Sequence, residues 1–104
     1  MKQFEVYVVN LDPKIGSEIK KSRPAVIVSP DAMNKYLMTL IVAPLTHSVK
    51  GYPSRVPSNF QNQGGEIVLD QILTVDKSRL IKKLGMIDKN SAQAIKDILK
   101  TMFG

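Results

Sequence analysis

The chain has no cysteine, no tryptophan and a single histidine, His47. Without thiols there is no disulfide framework, no thiolate zinc site and no thiol nucleophile. One imidazole among scattered carboxylates offers no His-x-x-x-His or acidic ligand spacing, so no metal site is expected. Gly64-Gly65 lacks the flanking residues of the phosphate-cradling loops, which argues against a nucleotide cofactor; no cofactor of any kind is expected. A serine triad would have only His47 as its base, and there is no Gly-x-Ser-x-Gly elbow. Apolar runs such as residues 40–43 fall far below the ~20 residues that cross a bilayer. Residues 1–9 lack the charged, long apolar and small-residue regions of a signal peptide. The expectation is a cytoplasmic protein with no membrane partner.

What the chain does have is the composition of one small folded domain over residues 1–104. Of its 104 residues, 43% are hydrophobic and 23% charged, well away from the disordered regime. Fifteen Lys and Arg against nine Asp and Glu give a net charge of +6, a bias toward polyanionic partners. That charge is evenly spread, +3 in residues 1–52 and +3 in residues 53–104, so no tail can be split off.

Short β-branched and aromatic runs alternate with turn formers. Residues 4–9 read as a first strand, stopped by Asn10-Leu-Asp-Pro13. Residues 12–22 read as an exposed polar loop. Residues 25–29 and 36–43 read as a core hairpin, with residues 30–35 as its turn. Pro44 and Pro53 bracket a second polar loop, and residues 57–65, rich in Pro, Asn and Gly, read as a third and mobile one. Residues 66–73 suggest one strand, Asp76 to Arg79 a capped helical turn, and residues 81–87 a weaker strand with Gly85 at a bulge or close approach. Ala94, Ile95, Ile98, Leu99 and Met102 share one face at helical spacing, with Asp88 or Asn90 as cap. The predicted architecture is mainly β: a small, strongly curved sheet closed by a C-terminal helix.

Two loops carry the candidate chemistry. Arg23 ends one where a strand begins, and Thr46 and His47 start the other where a strand ends, so adjacent strands can bring them together. RNA cleavage by its own 2′-hydroxyl needs a base, an acid and cationic or hydrogen-bonding groups for the phosphorane, but no metal. Glu18, Arg23, Thr46 and His47 are of the right kinds, and a guanidinium suits a phosphate through its planar, permanently charged fork. Residue types alone equally allow a solvated arginine, a turn threonine and a surface ion pair. Lys20, Lys21, Lys50, Arg55, Lys82 and Lys83 equally serve solubility.

The segment Asn10-Leu-Asp-Pro-Lys-Ile-Gly-Ser-Glu-Ile-Lys-Lys-Ser-Arg-Pro-Ala-Val-Ile-Val-Ser29 resembles the opening signature of the MazF/PemK toxins. Val42-Ala-Pro-Leu-Thr46 resembles their second motif, and Leu69-Asp-Gln-Ile-Leu-Thr-Val-Asp-Lys-Ser-Arg-Leu80 their third. The resemblance implies a small SH3-like barrel of the CcdB/MazF type with five to seven strands and a C-terminal helix. It also implies a homodimer and metal-independent cleavage of single-stranded mRNA at short sequences, leaving a 2′,3′-cyclic phosphate and a 5′-hydroxyl. A cognate antitoxin protein would fill the substrate groove. By motif position Arg23 is implied as catalytic and Thr46 as its support at the phosphate. Glu18 is the implied base, and Lys20, Lys21, His47, Lys50 and Gln71 would hold the RNA. Phe4, Asn10, His47 and Leu73 depart from the commoner residues of the motifs. The competing reading is a CcdB-like toxin that binds DNA gyrase and has no nuclease site. Against it, the chain ends Met102-Phe103-Gly104 where that subgroup has Trp-Gly-Ile. A third reading is an inactive relative that binds only an antitoxin.

Overall fold

Where β-branched residues cluster between turn formers, the chain is extended. The computed structural model describes residues 1–12 and 21–104. Seven strands are present among them: β1 (Glu5–Asn10), β2 (Ser22–Ile27), β3 (Thr39–Thr46), β4 (Arg55–Ser58), β5 (Gly65–Val68), β6 (Leu73–Asp76) and β7 (Leu80–Met86). Two helices accompany them, α1 (Asp31–Tyr36) and α2 (Lys89–Phe103). All pairings are antiparallel, in the order β4-β5-β3-β2-β1-β7. Strand β3 is shared along its length. Its first half pairs with β6, from Thr39–Asp76 to Val42–Leu73, and its end pairs with β5 through Leu45–Ile67 and Thr46–Glu66. Its other edge pairs with β2.

Alternation along β2 feeds two cores, because successive side chains leave a strand on opposite faces. Ala25 and Ile27 join Val9, Leu40, Val42 and Val75 within the curled strands. Val26 and Val28 join Val6, Ala43, Val56, Ile67, Leu69 and Ile87 under α2, which contributes Ile95 to this cluster and packs Ile98 and Leu99 against it. Each such aliphatic side chain stabilises the fold by roughly 1.5–3 kcal/mol on burial. The sheet with its C-terminal helix is the architecture that the strand pattern predicts. Asp88 caps α2 by accepting from the Ser91 amide, and Asp76 caps the 3₁₀ turn Lys77–Arg79 through the Ser78 amide.

Four local expectations are corrected. Residues 30–35, read as a turn, include most of α1, whose Asn34 side chain is buried against Ser29. The strand expected from residue 36 begins at Thr39; Tyr36 and Met38 are 79% and 74% exposed. Pro57 and Ser58 extend β4 into the expected third loop, which also holds the 3₁₀ turn Phe60–Asn62. The single strand expected over residues 66–73 is broken by a second 3₁₀ turn, Leu69–Gln71, between β5 and β6. That turn steps the chain from the end of β3 back to its beginning. At Gly85 (φ 153°) the register against β1 shifts, and an added Cβ would meet the Phe60 ring at 3.3 Å.

Candidate active site

The β2–β3 ladder runs Ile27–Val42, Val26–Ala43, Ala25–Pro44. Two steps further in the same register, Arg23 stands across from Thr46, and Pro24 across from Leu45. By strand alternation Arg23 and Thr46 face one side of these strand ends, and Pro24 and Leu45 the other. Arg23 is exposed, and among the described residues it forms no ion pair. Thr46 is half-buried, and its Oγ1 accepts the Ser48 amide at 3.1 Å. This turn fixes the hydroxyl while leaving its proton to donate outward.

The segment after Thr46 is tied down by a buried carboxylate. Glu66, the cross-strand neighbour of Thr46, is 2% exposed. It accepts the Lys50 and Gly51 amides, both at 2.9 Å, and Arg55 Nη1 at 3.5 Å. Arg55 in turn grips Asp70 with Nε–Oδ1 at 2.8 Å and Nη2–Oδ2 at 3.4 Å, and lies over the Tyr52 ring. The Lys50 amide is the main influence holding the Glu66 carboxyl below its ordinary value, against the opposing effect of burial. The Arg55 bond does the same for Asp70, and Asp70 raises Arg55. Arg55 is therefore charge-compensated, whereas Arg23 is available to an anion.

Gly65 is required here for a steric reason. A Cβ on it would lie 2.0 Å from the Thr46 carbonyl oxygen, so only glycine lets β5 pass beneath Thr46 and His47. His47 is exposed, with Nδ1 3.5 Å from the Gly64 carbonyl oxygen. Lys21 and Lys50 are exposed, Lys21 at the start of β2 and Lys50 in the tethered segment. Gln71 is exposed at the end of the 3₁₀ turn that carries Asp70, and does not border the cavity beside Thr46 and His47. Glu18 and Lys20 lie outside the described residues. The chain on either side of them is held together: the Leu11 amide donates to the Lys21 carbonyl at 3.1 Å, and the Arg79 guanidinium donates to the Asn10 and Asp12 carbonyls.

Sequence reasoning missed Glu66, Arg55, Asp70 and Gly65 as parts of this site. One signal was present: a lone glutamate inside the apolar run Gly65-Glu-Ile-Val-Leu69, which must find partners if the run is buried.

The arrangement has parallels in known proteins. Residues 2–103 match the family model for the PemK-like, MazF-like toxin of type II toxin-antitoxin systems. The chain is 30% identical over 112 aligned residues to the Endoribonuclease MazF of Staphylococcus saprophyticus, covering 100% of this chain and 92% of that protein. Its fold is similar to the crystal structure of MazF from Deinococcus radiodurans, with TM-score 0.81, 24% identity and coverage of 100% and 96% of the two chains. It is also similar to a mycobacterial endoribonuclease in complex with its cognate antitoxin, with TM-score 0.81, 24% identity and coverage of 97% and 92%. With its three motifs in order on this barrel-like sheet and a family match from end to end, the chain belongs to the PemK-like, MazF-like toxins of type II toxin-antitoxin systems.

Proposed function

We propose that this toxin is a metal-independent endoribonuclease, acting from a single domain over residues 1–104, that cuts single-stranded mRNA at short sequences. The observation that carries the reading is the register setting an uncompensated guanidinium, Arg23, across from an anchored hydroxyl, Thr46. The 2′-hydroxyl attacks the adjacent phosphorus, its proton passing to Glu18. Negative charge accumulates on the phosphoryl oxygens, where Arg23 neutralises it and Thr46 donates a hydrogen bond. The bond to the 5′-oxygen breaks, that oxygen takes up a proton, and the products are a 2′,3′-cyclic phosphate and a 5′-hydroxyl. Lys20, Lys21, His47, Lys50 and Gln71 hold the strand with its bases splayed out.

The partners in this reading are RNA, a cognate antitoxin, and a second copy of the chain. The antitoxin complex of the similar mycobacterial endoribonuclease supports the second. Consecutive exposed apolar residues, Tyr36, Leu37 and Met38, are compatible with the third. Among the described residues no helix is long and apolar enough to cross a membrane, and the proposed location is the cytoplasm, where mRNA is met.

The test is incubation with a long single-stranded RNA in EDTA, with the new ends identified chemically. Cyclic phosphate ends from the wild type, and their loss in Arg23→Ala with an unchanged circular dichroism spectrum, are the expected results. Full activity of Arg23→Ala removes that residue from the chemistry. A 3′-hydroxyl product instead demands attack by water.

A further inference from the structure

On the far side of the same strand ends from Arg23 and Thr46 lies a cavity of about 240 Å³. Its walls are apolar, formed by Pro24, Leu45, Phe60 and Leu84, and its rim includes the amides of Gln61 and Gln63. His47 and Thr46 border it, so it adjoins the proposed reaction centre directly. Phe60 presents an aromatic ring, and Gln61 is held in place by donating from Nε2 to the Leu84 carbonyl at 3.2 Å. The chain spanning the rim is bent into a shape that side-chain-bearing residues rarely adopt: Gln61 and Asn62 have φ of 53° and 61°. Backbone strain of this kind persists where surrounding structure enforces it, and it concentrates at binding sites.

The chemistry of this cavity selects its occupant. The volume is just under the ~300 Å³ at which pockets for drug-sized ligands begin, which suits one planar ring system and not a dinucleotide. The rim amides are neutral and present both donors and acceptors, the complement of a base edge. The bordering carboxylate, Glu66, is engaged by Lys50, Gly51 and Arg55 and presents no free charge. A chain of net charge +6 draws a polyanion toward it. We infer that this cavity is a base-recognition subsite: it takes one unstacked nucleobase next to the scissile phosphate, with Phe60 as its stacking platform and Gln61 and Gln63 reading its edge. This deepens the RNA-cleaving reading above and rests on it. A phosphate held on the Arg23 side and its base turned over the strand ends into the cavity would be read and cut in one pose.

The test compares cleavage-site preferences on a long RNA for the wild type, Gln63→Ala, Gln61→Ala and Phe60→Leu. Gln63 is exposed, so its truncation leaves the core untouched, and leucine keeps most of the bulk that Phe60 packs against Gly85. The expected result is relaxation at one position beside the cut, with discrimination there falling about tenfold or more, and unchanged preference elsewhere. An identical preference in all four proteins overturns the subsite and leaves the cavity to a side chain of a partner polypeptide. Should the wild type cut no RNA, the nuclease reading fails. The subsite is then judged by selection from a random pool of 2′-O-methylated RNA, which cannot be cleaved through the 2′-oxygen. Enrichment of one base by the wild type and not by the glutamine variants supports it, and no enrichment overturns it.

Discussion

At the scale of single residues the site depends on contacts a few tenths of an ångström wide. Gly65 and Gly64 are adjacent, yet a Cβ at Gly64 meets nothing within 4 Å while one at Gly65 collides with the Thr46 backbone. Gly65→Ala is expected to destabilise the fold by about 1–3 kcal/mol through overpacking and to lose most RNA cleavage, because Thr46 and His47 must move. Gly64→Ala should stay within roughly 0.5 kcal/mol of the wild type. Thermal melts and cleavage assays on the pair check this, and equal behaviour would refute the steric account. Thr46→Val tests the hydroxyl at nearly constant shape. Loss of one donor to developing charge costs roughly 10²–10³ in rate, whereas Thr46→Ser should retain much of it. The motifs made Arg23 and Thr46 legible in the sequence. The need for glycine at position 65 was not legible, since it arises from a strand crossing that only the fold creates.

Individual elements show why some boundaries were readable and others were not. Strand β1, the capped turn before β7 and helix α2 follow from local chemistry alone: β-branched alternation, Asp76 and Asp88 caps, and an apolar stripe at helical spacing. The break between β5 and β6 has no such local cause. The run from Glu66 to Leu73 reads as continuous, but β3 accepts β5 at one end and β6 at the other, so the chain must step sideways at Leu69–Gln71. The same step presents Asp70 to Arg55. Because Glu66 and Asp70 have carboxyl groups held below their ordinary values, their contribution is present above the unfolded carboxylate range and is lost as pH falls through the folded values. Acidification below about pH 4 should therefore release the segment after Thr46 before the sheet melts. Amide hydrogen exchange at Lys50 and Gly51 reads this directly. Protection that is flat across acid pH would show that the carboxylate does not tether the segment, and Glu66→Gln should weaken protection already at neutral pH.

For the molecule as a whole, stability and RNA affinity draw on different parts. Ile95 on α2 is fully buried, and Ile95→Ala is expected to cost about 2–5 kcal/mol, while Met102→Ala on the exposed last turn should cost far less. Denaturant unfolding of the two variants checks that α2 closes the core through its middle. Affinity for RNA should fall steeply with salt, as a net charge of +6 implies. Lys50→Ala should lower the slope of log K against log salt by about 0.7 if its ammonium meets one phosphate of a single strand. An unchanged slope would place Lys50 off the RNA path.

Both ends of the strand order are blunt. The terminal strand β4 has four residues and carries Pro57, and β7 carries Lys82 and Lys83 and a break in its register. Proline, lysine and an interrupted ladder all discourage a foreign strand from adding on. A population of these molecules freed suddenly and in quantity would thus stay dispersed rather than polymerise edge to edge, ready to act or to be recaptured.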